Sequence, residues 1–194
     1  RTDDRATYTK RVADILAEVS APGVEPTIQS PPLGFKPRVT GPEVVEAYTR
    51  QVIGTVAHLV KLRERTGRLV RLALEPEPAC FLETTEEAVE YFSNHLYADA
   101  AVASVAEQTG LSRNDAVTAL REHLGMVYDI CHQAVEYEDI SASLRTLADR
   151  GIPVFKLQEA AAVRVPEVTQ EKVDALRQFA DTVYPVSYTH LRAH

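Results

Sequence analysis

Short apolar runs alternate with longer amphipathic segments along this chain. The apolar runs fall at about residues 26–30, 69–74, 126–128 and 153–157, and each has the length of one strand. The longest amphipathic segment begins at Pro42, which suits a first helical turn, and stops at Gly67, which suits the position just after a helix. This alternation of helix and strand predicts an α/β protein with parallel strands.

Local signals predict where the other helices begin and end. Thr84–Glu87 has the form of a capping box, which starts one helix. Ser112–Asp115 starts another helix, which we expect Gly125 to end. Two further helices are predicted over Asp139–Arg150 and Gln170–Asp181.

Two of the predicted strands carry a polar face. Arg71 and Glu75 share one face of the second strand. Lys156 and Gln158 share a face of the fourth, with Phe155 expected on the opposite face. A polar face is costly in an open sheet covered by helices on both sides, but it suits the interior of a barrel near its mouth. The polar faces therefore favour a barrel over an open sheet.

Composition narrows the class of protein. The 194 residues are 45% hydrophobic and 25% charged, as in a soluble globular domain with a sizeable core. A net charge of −7 argues against a nucleic-acid partner, because phosphate binding needs a basic face. Two cysteines make no disulfide framework, and no apolar run has membrane-spanning length. We expect a cytoplasmic protein without membrane insertion.

Ionisable side chains stand where two of the strands end. Glu75 follows the second strand, and Asp129 and His132 end the third. Parallel strands present their carboxyl ends at one edge, so these residues are expected to meet. Carboxylates with an imidazole suit a borderline or hard divalent metal. An Asp after a strand also often caps the next helix, so for Asp129 both roles stay open.

Three neighbouring residues each have two interpretations. Glu77 is either a hydrogen-bond acceptor for a ligand or substrate hydroxyl, or a solvated loop acid. Lys156 is either a Schiff-base lysine or a cation that neutralises Glu75 or Asp129 or binds an anionic substrate group. Cys131 is either a nucleophile or a small buried thiol that fills space.

Four short runs in these regions carry a family resemblance: Pro-Leu-Gly-Phe-Lys36, Leu-Glu-Pro-Glu-Pro78, Tyr-Asp-Ile-Cys-His-Gln133 and Pro-Val-Phe-Lys-Leu-Gln158. Together they resemble the xylose isomerase-like TIM barrels, which include sugar isomerases, ketose 3-epimerases and endonuclease IV-type AP endonucleases. Within that superfamily they look most like the EboE metabolite traffic proteins, often labelled sugar phosphate isomerases.

The resemblance also has implications for domain organisation. It covers residues 1–185, and it implies that the chain is a fragment spanning strands four to seven. The implied fold is a partial (β/α)8 TIM barrel of about four parallel strands alternating with helices. The last segment, residues 186–194, looks like a non-native tail derived from a sequencing adaptor.

The same resemblance implies a metal site. Glu75, Asp129 and His132 would be the ligands, and Glu75 would also be catalytic. Gln158 stands where epimerases and the endonuclease carry a histidine, so it would be a weaker neutral ligand. The ion would be Mn²⁺, Mg²⁺ or Zn²⁺. A second catalytic carboxylate would lie on strand eight, beyond this stretch.

Substrate contacts and function are implied in the same way. Lys36 or Lys156 would hold an anionic group of the substrate, and Glu77 a hydroxyl. The expected function is metal-dependent isomerisation or epimerisation of a sugar, sugar phosphate or related polyhydroxylated metabolite. The alternative is a non-catalytic metabolite-binding traffic protein with partners encoded in a metabolite-export gene cluster. An AP endonuclease-like enzyme fits the net negative charge of the chain less well, because such an enzyme must bind DNA phosphates.

Overall fold

Four parallel strands form the sheet within residues 3–179, the part of the chain that a computed structural model describes. Each strand pairs with the next in chain order, and helices fill every connection. The sheet curls into half of a barrel, so the predicted α/β class with the architecture of a partial TIM barrel is confirmed. The strands are β1 (Thr27–Ser30), β2 (Arg71–Leu74), β3 (Leu124–Asp129) and β4 (Val154–Gln158).

Eight α-helices occur in the same described residues. They are α1 (Asp3–Val19), α2 (Pro42–Thr66), α3 (Thr85–Tyr91), α4 (Asp99–Thr109), α5 (Arg113–His123), α6 (Ile130–Val135), α7 (Ile140–Asp149) and α8 (Gln170–Arg177). A 3₁₀ turn at Lys36–Arg38 and a π-helical turn at Phe92–Leu96 complete the list. Among these helices, none has both the length and the apolar content needed to cross a membrane.

The chain divides into two compact units. Within the described residues, the unit that holds the sheet ends at Ala161, and the unit that holds α8 begins at Ala162. The helix α8 begins at Gln170, as predicted. The predicted helix end at Asp181 and the expected adaptor-derived tail, residues 186–194, lie outside the described residues.

The hydrophobic core of the first unit lies between the outer face of the sheet and the helices of that unit. Leu72 and Leu74 of β2 and Met126 of β3 point into it and are at most 3% exposed. Burying one such side chain stabilises the fold by about 1.5–3 kcal/mol. A one-residue slip of β2 would replace the two leucines with Ala73 and either Arg71 or Glu75, so the core fixes which face of the strand is polar.

Helix ends follow the predicted signals in most places. Thr84 and Glu87 form the complete capping box of α3, and Ser112 caps α5 through the backbone N–H of Asp115. Gly67 ends α2 in the left-handed region with φ 71°.

Gly125 is the exception, because it does not end a helix. The helix α5 ends at His123, and Gly125 is the second residue of β3. A Cβ atom at Gly125 would lie 2.4 Å from the carbonyl oxygen of Pro153 and 2.8 Å from the ring of Phe155. The glycine is therefore required by the close approach of β4 and not by a helix terminus.

One residue of β4 lies outside the regular pairing with β3. Met126 pairs with Val154, but Val127 pairs with Lys156, so Phe155 is an extra residue at this shift of register. The expected alternation placed Phe155 opposite Lys156. That expectation is wrong, because the ring of Phe155 lies 4.9 Å from the guanidinium carbon of Arg71, on the polar face.

Candidate metal centre

The three predicted ligands come together at the carboxyl edge of the sheet. Glu75 directly follows β2, Asp129 ends β3, and His132 lies in the first turn of α6. Asp129 is fully buried, and Glu75 and the side chain of His132 are 7% and 15% exposed. Nε2 of His132 lies 3.6 Å from Oδ2 of Asp129, and Nδ1 lies 3.8 Å from Oε1 of Glu75. The edge therefore gathers two carboxylates around one imidazole.

The backbone around β2 orients the imidazole of His132. Its Nδ1 lies 3.0 Å from the carbonyl oxygen of Pro76. A carbonyl oxygen only accepts hydrogen bonds, so Nδ1 carries the proton of the neutral ring. This leaves the lone pair on Nε2, the nitrogen that faces Asp129. A metal-binding histidine is commonly oriented by such a hydrogen bond from its other nitrogen.

The two oxygens of Asp129 have different surroundings. Oδ1 accepts a hydrogen bond from the backbone N–H of Cys131 at 2.8 Å and so caps α6. Oδ2 is buried and has no hydrogen-bond partner among the described residues. A buried carboxylate oxygen without a donor is unfavourable, and a cation between it and Nε2 of His132 would satisfy both atoms. These residues therefore fit a divalent metal ion.

Among the described residues, the group of side chains close enough together to hold one metal ion includes Cys131 and leaves out Glu75. Asp129, Cys131 and His132 each offer one ligand atom, and these atoms lie within 4.8 Å of one another. Burial, with the neighbouring Asp129 carboxylate, raises the pKa of Cys131 to about 12. The thiol is therefore protonated at neutral pH, which disfavours the interpretation of Cys131 as a nucleophile.

Negative charge accumulates around Glu75. Burial raises its pKa above the ordinary value of 4.5, and the nearby charges of Glu77 and Asp129 raise it further. A hydrogen bond from Gln29 and the proximity of His132 act in the opposite direction. The charge of Glu77 is therefore close enough to Glu75 to raise the pKa of its carboxyl group. A divalent cation would offset the repulsion within this cluster.

The residue that sequence reasoning missed is Gln29. Its Nε2 donates to Oε2 of Glu75, and its Oε1 accepts from Nζ of Lys156. Alternation along Thr-Ile-Gln-Ser, with Ile28 buried in the core, could have placed Gln29 on the polar inner face. Its two partners could not be read from the sequence, since they lie on other strands.

The remaining predicted residues differ in their placement. Gln158 pairs with Asp129 in register, so both lie at the same edge of the sheet. The ammonium of Lys36 is bound instead by two carboxylates beside α3, those of Glu83 and Glu87, the second at 2.7 Å. Its charge is therefore already neutralised within the protein.

Comparison with known proteins gives little further information. No protein-family model matches the chain, and no curated protein matches it. Among solved structures, the chain is similar to that of 3-keto-D-glucoside 4-epimerase, YcjR, from E. coli in the apo form. The identity is 15%, the match covers 89% of this chain and 69% of that chain, and the TM-score is 0.43.

Proposed function

We propose that the carboxyl edge of this sheet binds a divalent metal ion through Asp129 and His132, with Glu75 as a further ligand or as the proton acceptor. The substrate in this proposal is a sugar, sugar phosphate or related polyhydroxylated metabolite, and the chemistry is isomerisation or epimerisation. One observation carries the proposal: Oδ2 of Asp129 is buried, has no hydrogen-bond partner within the described part of the chain, and lies 3.6 Å from Nε2 of His132.

The chemistry divides between the ion and the side chains. A bound Mn²⁺, Mg²⁺ or Zn²⁺ would polarise a carbonyl or hydroxyl oxygen of the substrate. Glu75 would take the proton from the carbon next to the carbonyl, as the C–H electron pair moves toward the carbonyl oxygen. A carboxyl group whose pKa is raised by burial is better matched to this task near neutral pH.

Other residues support a polyhydroxylated or phosphorylated ligand. Gln158 is proposed as a neutral oxygen ligand, because it lies beside Asp129 at the same edge. Glu77 and Lys156 would bind substrate hydroxyl and anionic groups. Lys36 could bind an anion only after releasing its two carboxylates. The resemblance to xylose isomerase-like barrels and EboE traffic proteins supports the same substrate class.

The metal content of variants tests the proposal and separates the two roles of Glu75. Asp129→Ala is expected to lose the metal, since it removes the unpartnered oxygen. Glu75→Gln keeps a ligand oxygen but cannot accept a proton, whereas Glu75→Ala loses both. Metal retained without turnover in Glu75→Gln would identify the base, and metal lost in both would identify a ligand. Glu64→Gln, an exposed carboxylate on α2, is the matched control.

Metal uptake and turnover by the wild-type protein decide between the proposed function and its alternative. Protein that takes up none of the three ions would contradict the proposal. Protein that binds metal and a sugar phosphate but turns over no member of a sugar panel would instead support the traffic-protein alternative.

A further inference from the structure

The side-chain amide of Gln29 lies between a carboxylate and an ammonium on the inner face of the sheet. Its Nε2 donates to Glu75, and its Oε1 accepts from Lys156. The three residues come from different places in the sheet: β1, the end of β2, and β4. Glu75 is almost fully buried, and Gln29 is half-buried. One amide thus connects a charge at the metal centre to a charge two strands away.

Both neighbours require the same orientation of this amide. A carboxylate only accepts hydrogen bonds, and an ammonium only donates them. A reversed amide would set Oε1 against the Glu75 carboxylate and the NH₂ group against the Lys156 ammonium. Two charge-assisted hydrogen bonds would be lost. Lys156 therefore fixes the direction of the Gln29 amide.

The orientation of the Gln29 amide determines which oxygen of the Glu75 carboxylate lies on the His132 side. Because Gln29 holds Oε2, the other oxygen, Oε1, is the one on the His132 side, 3.8 Å from Nδ1. We propose that Gln29 is a positioning residue that holds Oε1 of Glu75 on the His132 side of the carboxylate, and that Lys156 acts on this arrangement through Gln29. The tests of this inference that measure metal affinity rest on the proposed function.

A direct effect of Lys156 would have the opposite sign. A lysine that acts on the site by its charge alone repels a divalent cation, so its removal would tighten metal binding. A lysine that acts by orienting Gln29 stabilises the productive arrangement of Glu75, so its removal would weaken metal binding. The sign of the change therefore distinguishes the two.

Titration with Mn²⁺ alone tests the inference on the full chain. Gln29→Met should weaken binding about 10- to 100-fold, the usual effect of losing a hydrogen bond to a metal ligand. Lys156→Met should weaken binding by a smaller factor. The double variant should resemble Gln29→Met, because Lys156 acts on the site only through Gln29. Lys156→Arg should restore the affinity, since a guanidinium also only donates. Lys61→Met, at an exposed position of α2, controls for lost charge.

Three results would overturn the inference. They are unchanged binding in Gln29→Met, tighter or unchanged binding in Lys156→Met, and an additive loss in the double variant. Lys156 is exposed, so its variants are expected to fold, and thermal unfolding of each variant checks this.

The inference can also be tested if the wild-type protein binds no Mn²⁺, a result that would weaken the proposed function. The side-chain ¹⁵N amide resonance of Gln29 is then followed in the metal-free protein. A shift of this resonance in both Glu75→Gln and Lys156→Met supports the oriented amide. No shift in Lys156→Met overturns it.

Discussion

Asp129 shows how one side chain can serve two neighbours. Its sequence context left helix capping and metal binding as alternatives. In the structure the cap uses only Oδ1, and Oδ2 is buried without a hydrogen-bond partner in residues 3–179. The two roles are therefore compatible, because a carboxylate has two oxygens. A cap predicted from sequence does not exclude a ligand at the same residue.

His123, the last residue of α5, gives the protein a pH-dependent stability. It is buried, and its Nδ1 lies 2.7 Å from the carbonyl oxygen of Val70. Burial lowers its pKa below the ordinary 6.5, so the folded state binds a proton less readily than the unfolded state. The contribution of His123 to the free energy of unfolding is therefore at its full value above pH 6.5. It falls as the pH drops toward the folded-state pKa.

Urea unfolding at several pH values measures this effect. The free energy of unfolding of the wild-type protein should fall more steeply from about pH 7 to about pH 5 than that of His123→Gln. Glutamine can still donate to Val70 but does not titrate. Equal slopes in the two proteins would exclude His123 as the source.

At the scale of elements, two glycines make a matched pair. Gly125→Ala places a Cβ atom 2.4 Å from the Pro153 carbonyl, so β3 and β4 must separate. We expect a loss of about 2 kcal/mol or more. Gly54, inside α2, has its nearest atoms at 3.9 Å, so Gly54→Ala should instead stabilise by about 0.5–1 kcal/mol through helix propensity. Chemical denaturation of both variants checks the opposite signs; a loss in both would contradict this account.

The elements predicted correctly are those with local causes. The capping box at Thr84–Glu87, the cap at Ser112 and the left-handed Gly67 are determined by their own neighbours in sequence. Gly125 was misassigned because a glycine needed for close strand approach looks the same in sequence as one after a helix. The extra residue Phe155 was missed because a bulge depends on the partner strand.

The meeting of Glu75, Asp129 and His132 could be predicted, because parallel strands place their carboxyl ends at one edge. Their role as metal ligands stays a prediction. Gln29 and the Pro76 carbonyl were not found, because each acts through a partner distant in sequence. The position of Lys36 beside Glu83 and Glu87 depends in the same way on packing against α3.

At the scale of the whole molecule, metal binding should raise the temperature of unfolding. An ion present at about 100 times its dissociation constant adds about 2.7 kcal/mol to the free energy of unfolding. For a chain of this size that corresponds to a rise of roughly 5–10 °C in Tm. Differential scanning calorimetry with and without Mn²⁺ measures it. Asp129→Ala should show no rise; the same rise in that variant would mean that the ion binds elsewhere.

The extra residue in β4 has a consequence for insertions and deletions. Because Phe155 lies outside the register, loss of its single codon would leave Val154 opposite Met126 and Lys156 opposite Val127. Loss of the codon for Leu157 would instead move Gln158 into the position now taken by Leu157, opposite Tyr128, and off the inner face. Among natural relatives, length variation within this strand should therefore be confined to the position of Phe155.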